Sequence, residues 1–202
     1  MGNETSKSSN RMAISAMSHM LKITKTQLLE LRDLCIAKHE DDVSTLSGYR
    51  LSRENFVAVM KDANIAEEPD QDVFEQLFIM FDKKGEDYVD PVLFFAGLSP
   101  LASVLDVSTK LRFALHVFDY KKTGRISRER LEAVLGAINS TASFFGDAVL
   151  LESQIGLIVN DIFEGEELDD ETIAYSDKIY KISIHPLVVE FASGAGMARH
   201  GI

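Results

Sequence analysis

This chain is short of the residues that would support several kinds of chemistry. It has one cysteine in 202 residues, so no internal disulfide can form. A fold held by packing in a reducing, cytoplasmic setting is therefore expected. Cys35 falls in a helical apolar pattern, which marks it as a buried core thiol rather than a reactive one. Basic residues are outnumbered, 21 against 32 acids, giving a net charge of −11. General nucleic-acid binding needs a basic footprint and is excluded. No run approaches the roughly 20 apolar residues of a membrane span, and no secretory pattern opens the chain. His19, His39, His116, His185 and His200 lack metal-ligand spacing. Neither a glycine-rich phosphate cradle nor a nucleophile elbow occurs, so no catalytic residues and no enzyme activity are expected.

What is present reads as a folded helical protein. Apolar residues make up 46% and charged residues 26%, ordinary values for a globular chain of one domain or two small lobes. The amino terminus, Met1-Gly-Asn-Glu-Thr-Ser-Lys7, fits the M-G-x-x-x-[ST] acceptor for N-myristoylation at Gly2. One acyl chain gives marginal, reversible attachment, so a cytoplasmic, reversibly membrane-associated protein is expected. Lys7, Arg11, Lys22 and Lys25 make this region mildly basic. Thr24-Lys-Thr-Gln27 is a capping box, with Ile23 and Leu28 able to form its hydrophobic staple. Leu28, Leu31, Leu34 and Cys35 then line one helical face.

Two stretches carry the most information. Asp82-Lys-Lys-Gly-Glu-Asp-Tyr-Val-Asp-Pro-Val-Leu93 follows Phe81, and Asp119-Tyr-Lys-Lys-Thr-Gly-Arg-Ile-Ser-Arg-Glu-Arg130 follows Phe118. They resemble EF-hand calcium loops, which place oxygen ligands at positions 1, 3, 5, 7 and 9, Gly at 6 and a bidentate Glu at 12. In these two loops Lys84 and Lys121 stand at position 3, and Leu93 and Arg130 at position 12. An ammonium group offers only donors and repels a cation. No metal is expected, and Asp82, Glu86, Asp90 and Asp119 are weak candidates for a residual calcium site. Asp90 has another task available as N-cap of a helix starting at Pro91. Phe74, Leu77, Phe78 and Phe81 form the entering face of one helix, and Leu111, Leu115 and Phe118 that of another. Ser127 caps a helix carrying Leu131, Val134, Leu135 and Ile138. His116 reads as a surface or boundary residue.

Ser44–Asn55 reads as a vestigial first loop, with Ser44, Leu46, Gly48 and Asn55 at ligand positions. A fourth unit starts with the amphipathic run Leu151, Ile155, Ile158, Val159 and Ile162. Its second half is expected at Lys181-Ile-Ser-Ile-His-Pro-Leu187, leading into Val188–Ala192, with Pro186 at position 12. The expected position-8 residues Leu51, Val89, Ile126 and Ile182 lie 38, 37 and 56 residues apart. That spacing predicts a repeat with an acidic insertion at about 164–180. The run Glu164–Glu171 is expected to be a solvated loop, the sharper alternative being an electrostatic clamp for a basic partner helix. Lys121, Lys122, Arg125, Arg128 and Arg130 give the third loop a basic surface.

The chain resembles the calcineurin B-like branch of EF-hand proteins, which includes calcineurin homologous proteins and neuronal calcium sensors. Met1-Gly-Asn-Glu4, Gly85-Glu-Asp-Tyr-Val89, Lys110-Leu-Arg-Phe-Ala-Leu115, Phe118-Asp119 and Gly124-Arg-Ile-Ser127 carry the likeness, over roughly residues 24–192. The resemblance implies an all-α fold of four helix-loop-helix units in two lobes, with short loop–loop β bridges. The segments expected are 1–23, a myristoylated leader; 24–101, an amino-terminal lobe; and 102–202, a carboxy-terminal lobe. It also implies an apolar groove for a partner's amphipathic helix, with Phe74, Phe78, Phe113, Leu135 and Ile138 as candidate lining. Such a partner would be a phosphatase catalytic chain, a kinase or the cytosolic helix of a transporter. The function expected is a calcium-independent adaptor or regulatory subunit. The rivals are a calcium sensor with one residual ion site and a structural subunit of a large assembly, similar to dynein-associated calaxin.

Overall fold

The computed structural model describes residues 23–63, 71–102, 106–144, 149–165 and 171–192. Gly2 and the rest of the amino-terminal segment to residue 22 lie outside them. The described chain is mostly helical, in keeping with the all-α expectation. Contacts divide it into two compact units, one of Met1–Phe95 with Leu101–Ser103 and one of Ala96–Pro100 with Val104–Ile202.

The first unit begins with α1 (Lys25–Ala37). Thr24 Oγ1 accepts from Gln27 N at 3.2 Å and Gln27 Oε1 accepts from Thr24 N at 2.9 Å, completing the capping box. Ile23 and Leu28 are both buried beside it, as are Leu31 and Cys35. Leu34 departs from the expected face and is 48% exposed, while Arg32 is buried and pairs its guanidinium with Asp33. The chain continues through β1 (Glu40–Asp41), β2 (Tyr49–Ser52), α2 (Arg53–Asp62), α3 (Gln71–Phe81), β3 (Tyr88–Val89) and α4 (Pro91–Leu98). The strands pair antiparallel in the order β1-β2-β3, with Leu51 opposite Val89.

Aromatic rings form the core of this unit. Phe94 meets Phe56 at 5.1 Å and Phe81 at 4.9 Å between ring centroids, in edge-to-face geometry, and Phe56 meets Phe78 at 5.3 Å. Burying each such side chain contributes about 1.5–3 kcal/mol.

The second unit runs α5 (Val107–Phe118), β4 (Arg125–Ser127), α6 (Arg128–Phe144), α7 (Glu152–Phe163), β5 (Thr172–Ala174), α8 (Tyr175–Ser183) and α9 (Pro186–Ala192). Asp106 caps α5 through Thr109 N, and the Thr109 bonds hold its carboxyl below the usual carboxylate range. Ser127 Oγ accepts from Arg130 N at the start of α6. Leu111, Leu115, Phe118, Leu131, Val134 and Leu135 face inward, with Ile155, Ile158, Val159 and Ile162 of α7.

The fourth unit departs from the sequence expectation. β4 and β5 pair antiparallel with Ile126 opposite Ile173, so Ile173 and not Ile182 occupies the paired apolar position. Ile182 lies buried in α8, and Lys181–Leu187 spans the end of that helix, a turn and the start of α9. Residues 172–180 therefore belong to a strand and a helix rather than an insertion. Lys181-Ile-Ser-Ile184 alternates like a strand, but Ile179 and Ile182 recur at helical spacing and both are fully or nearly fully buried.

Candidate functional site

The second and third loops share one backbone frame. In each, the first-position aspartate turns back on its own chain. Asp82 accepts from Glu86 N at 3.0 Å and Asp87 N at 2.8 Å. Asp119 accepts from Thr123 N at 2.9 Å and Gly124 N at 2.7 Å. Positions 4 and 6 are left-handed in both loops: Gly85 (φ 66°) and Asp87 (φ 62°), then Lys122 (φ 54°) and Gly124 (φ 68°). The left-handed conformation costs a residue with a Cβ roughly 1–2 kcal/mol. Asp87, where the resemblance leads one to expect Gly, offsets part of that through its bridge to Arg53 at 2.6 Å.

Two of the acids in these loops, Asp90 and Asp119, also meet residues of the paired loop. Asp90, which begins α4 by accepting from Val92 N and Leu93 N, also accepts from Ser47 N at 3.0 Å and Ser47 Oγ at 2.8 Å. Burial pushes its carboxyl above the usual range, opposed by these four bonds. Asp119 accepts from Thr123 Oγ1 at 3.0 Å and from the Tyr175 hydroxyl at 3.1 Å. Burial, then the nearby Asp119 charge, pushes the Tyr175 phenol up to about 12. Glu86 is exposed at the tip of its loop. Asp82, Glu86 and Asp90 thus have separate surroundings, and among the described residues no three His, Cys, Asp or Glu side chains are grouped to hold a metal.

Further contacts stitch the first and second loops together. The Arg50 guanidinium lies 3.5 Å from the Tyr88 ring centroid and also reaches Asp42 at 3.3 Å. Arg53 N donates to Asp87 O at 3.1 Å, beside the side-chain bridge between the same residues. In the second unit, Arg125 Nε donates to Thr172 Oγ1 at 2.9 Å. Tyr175 N donates to Gly124 O at 3.3 Å.

Ser47, Arg53 and Tyr175 were not singled out by sequence. The signal for Tyr175 was the β-branched pair Thr172-Ile173 directly after an acidic run, a strand preference followed by a helix start. Cys35 is buried, its thiol pushed up to about 12 by desolvation with Lys38 opposing. His116 is exposed.

The proposed groove residues fare differently. Phe78 is fully buried against Phe56, so it serves the core of the first unit and offers no open surface. Phe113 and Leu135 are 7% and 8% exposed, and Ile138 is half-buried. The Phe74 side chain lies outside the described residues. Leu157, Tyr180, Ile184 and Val189 in the second unit are each more than half exposed, and sequence reading did not select them. Among the described residues no helix is long and apolar enough to cross a membrane.

Compared with known proteins, the chain matches no family model and no solved structure.

Proposed function

We propose that this chain is a calcineurin B-like EF-hand protein that works without calcium, as an adaptor or regulatory subunit. In this reading each unit is a pair of EF-hands: α1–α2 with α3–α4, and α5–α6 with α7–α8. Its support is the antiparallel pairing of Leu51 with Val89 and Ile126 with Ile173, one apolar pair per loop pair. The matching left-handed positions in the second and third loops support it further.

One observation carries the calcium-independence: the carboxylate of Asp119 is satisfied by two amides, the Thr123 hydroxyl and the Tyr175 phenol. A calcium ion needs six to eight oxygens and usually a bidentate carboxylate at position 12. Here position 12 is Leu93 or Arg130, and Lys84 and Lys121 bring positive charge to position 3. A sensor opens when the ion arrives; this protein would have its conformation set by sequence and partner. The partner would be an amphipathic helix laid against an apolar surface with anchors at helical spacing. Acylation at Gly2 would raise the local concentration of the adaptor near a membrane-bound client. No catalytic role is assigned.

Affinity purification of the tagged chain from its native cell, in calcium and in chelator, tests this reading. Equal recovery of one partner in both is expected. Micromolar calcium binding by isothermal titration, with a structural change, would overturn it in favour of a sensor.

A further inference from the structure

Two helices of the second unit carry exposed stripes that mix apolar and acidic side chains. Leu157, Asp161 and Glu164 follow at i, i+4 and i+7 along α7 to its cap, and all three are exposed. Asp177, Tyr180 and Ile184 follow at i, i+3 and i+7 along α8 to its cap, and these too are exposed. Folding does not account for either stripe. The core is already met by Ile155, Ile158 and Val159 on α7 and by Ile179 and Ile182 on α8.

The two stripes meet at Asp161. His185 Nε2 lies 3.0 Å from Asp161 Oδ2, and Lys181 Nζ donates to Asp161 O. His185 directly follows Ile184, and the exposed Val189 stands one turn beyond it on α9. Exposed apolar side chains scattered singly need no explanation, but a grouped set marks a contact surface.

The charge around this surface has one dominant sign. Between Glu152 and Ala192 the described residues hold six acids and two lysines. Of the lysines, Lys178 is half-buried and Lys181 lies between the stripes, its ammonium on a backbone carbonyl. His185 Nδ1 accepts from Leu187 N at 3.3 Å, so Nε2 is the ring's donor to Asp161. In that tautomer the ring positions the carboxylate without cancelling its charge. The Asp161 side chain keeps 56% of its surface open.

We infer that this face docks a basic amphipathic helix of a partner protein. Apolar residues of that helix would sit on Leu157, Tyr180 and Ile184, and its lysines or arginines against Asp161, Glu164 and Asp177. The inference rests on the adaptor reading for the helical form of the partner, and adds where the helix lies and which charge it carries. Charge selects this occupant over the others. A second copy would set these acids against themselves on a chain of −11, and an anionic bilayer would be repelled in the same way. In the carboxy-terminal segment 193–202, Met197 and Ile202 lie five residues apart, off the spacing of a helical stripe.

The test titrates the full chain with a synthetic leucine–lysine peptide of about 18 residues, its leucines at helical spacing, and with a leucine–glutamate counterpart. A dissociation constant of about 10 μM or tighter is expected for the basic peptide, with no binding of the acidic one. Tyr180→Ser with Ile184→Ser should weaken binding on the order of 20-fold. Glu164→Gln with Asp177→Asn should weaken it roughly fivefold at low salt and much less at about 0.5 M salt. Both pairs are exposed, so melting temperatures should stay near the parent's and separate lost binding from lost fold. Leu34→Ser with Ile79→Ser, exposed in the first unit, should leave affinity unchanged.

Equal binding of both peptides, an unaltered Tyr180/Ile184 variant, or the same loss in the Leu34/Ile79 control would overturn the inference. Tighter peptide binding by Met197→Ser with Ile202→Ser would assign the face to the carboxy-terminal segment. Self-association abolished by Tyr180→Ser with Ile184→Ser would assign it to a second copy. Either result overturns it. The adaptor reading fails separately. Undiminished recovery of the native partner by the Tyr180/Ile184 variant, in calcium and in chelator alike, sinks this face alone. Recovery that requires calcium sinks the adaptor reading and leaves the peptide result in place.

Discussion

The Tyr175 hydroxyl donates to Asp119 Oδ2 at 3.1 Å across 56 residues of sequence, where the resemblance leads one to expect an ion's first ligand. Replacing this tyrosine with phenylalanine leaves the ring and removes one donor to a charged acceptor. A loss of about 1–2 kcal/mol in stability is expected, measured by denaturant titration. A Tyr175→Phe chain as stable as its parent would remove the phenol from the loop's account.

The same pair sets a pH dependence. The phenol is held protonated to about 12, above its ordinary value of 10, by burial and by Asp119. Its contribution is therefore fully present below pH 10 and is lost as pH rises through about 12. Ultraviolet titration should show a late-ionising tyrosine signal that disappears in Tyr175→Phe.

On the EF-hand reading proposed above, added carboxylates should create a calcium site. Lys121→Asp with Arg130→Glu returns carboxylates to positions 3 and 12 of the third loop. Isothermal titration should then show saturable calcium binding, with a dissociation constant of about 10⁻⁴ M or tighter, where the parent shows none. Adding Tyr175→Phe should tighten it, because the phenol no longer competes for Asp119. Continued silence in both variants would mean the loop backbone, rather than its side chains, excludes calcium.

Cys35 should resist alkylation in the native protein at pH 8, since burial pushes its thiol up to about 12. Iodoacetamide should label it only after unfolding. Rapid native labelling would contradict the burial.

Asp90→Ala should cost about 2–3 kcal/mol, combining a lost helix cap with Ser47 donors left unsatisfied. Asp90→Asn, which keeps one acceptor oxygen, should cost less than half as much. Thermal melts of the two variants would distinguish a capping role from mere volume.

Local rules made much of this molecule legible. Thr24 and Gln27 announce the start of α1, Asp90-Pro91 that of α4, and the apolar residues Leu51, Val89 and Ile126 mark three strand positions. The fourth was misplaced because Lys181-Ile-Ser-Ile184 alternates like a strand over four residues, too short a window to separate period 2 from period 3.6. Only its pairing partner decides, and pairing is a tertiary fact. The candidate site was half legible. Lys121 and Arg130 stand where the resemblance leads one to expect ligands, but local sequence does not report that the Tyr175 hydroxyl meets Asp119. Tyr175 and Ser47 act over 56 and 43 residues of separation, and no local pattern reports such distances. Phe78 and Phe113 share a helical face pattern with core residues, so periodicity alone could not divide core from groove.

The carboxylate of Asp90 has two employers. It holds the first turn of α4 and, through Ser47, the opposite edge of the neighbouring loop. Prying that loop away would also fray the helix, so the two halves of the amino-terminal unit should exchange their amide hydrogens in a single cooperative opening rather than in sequence.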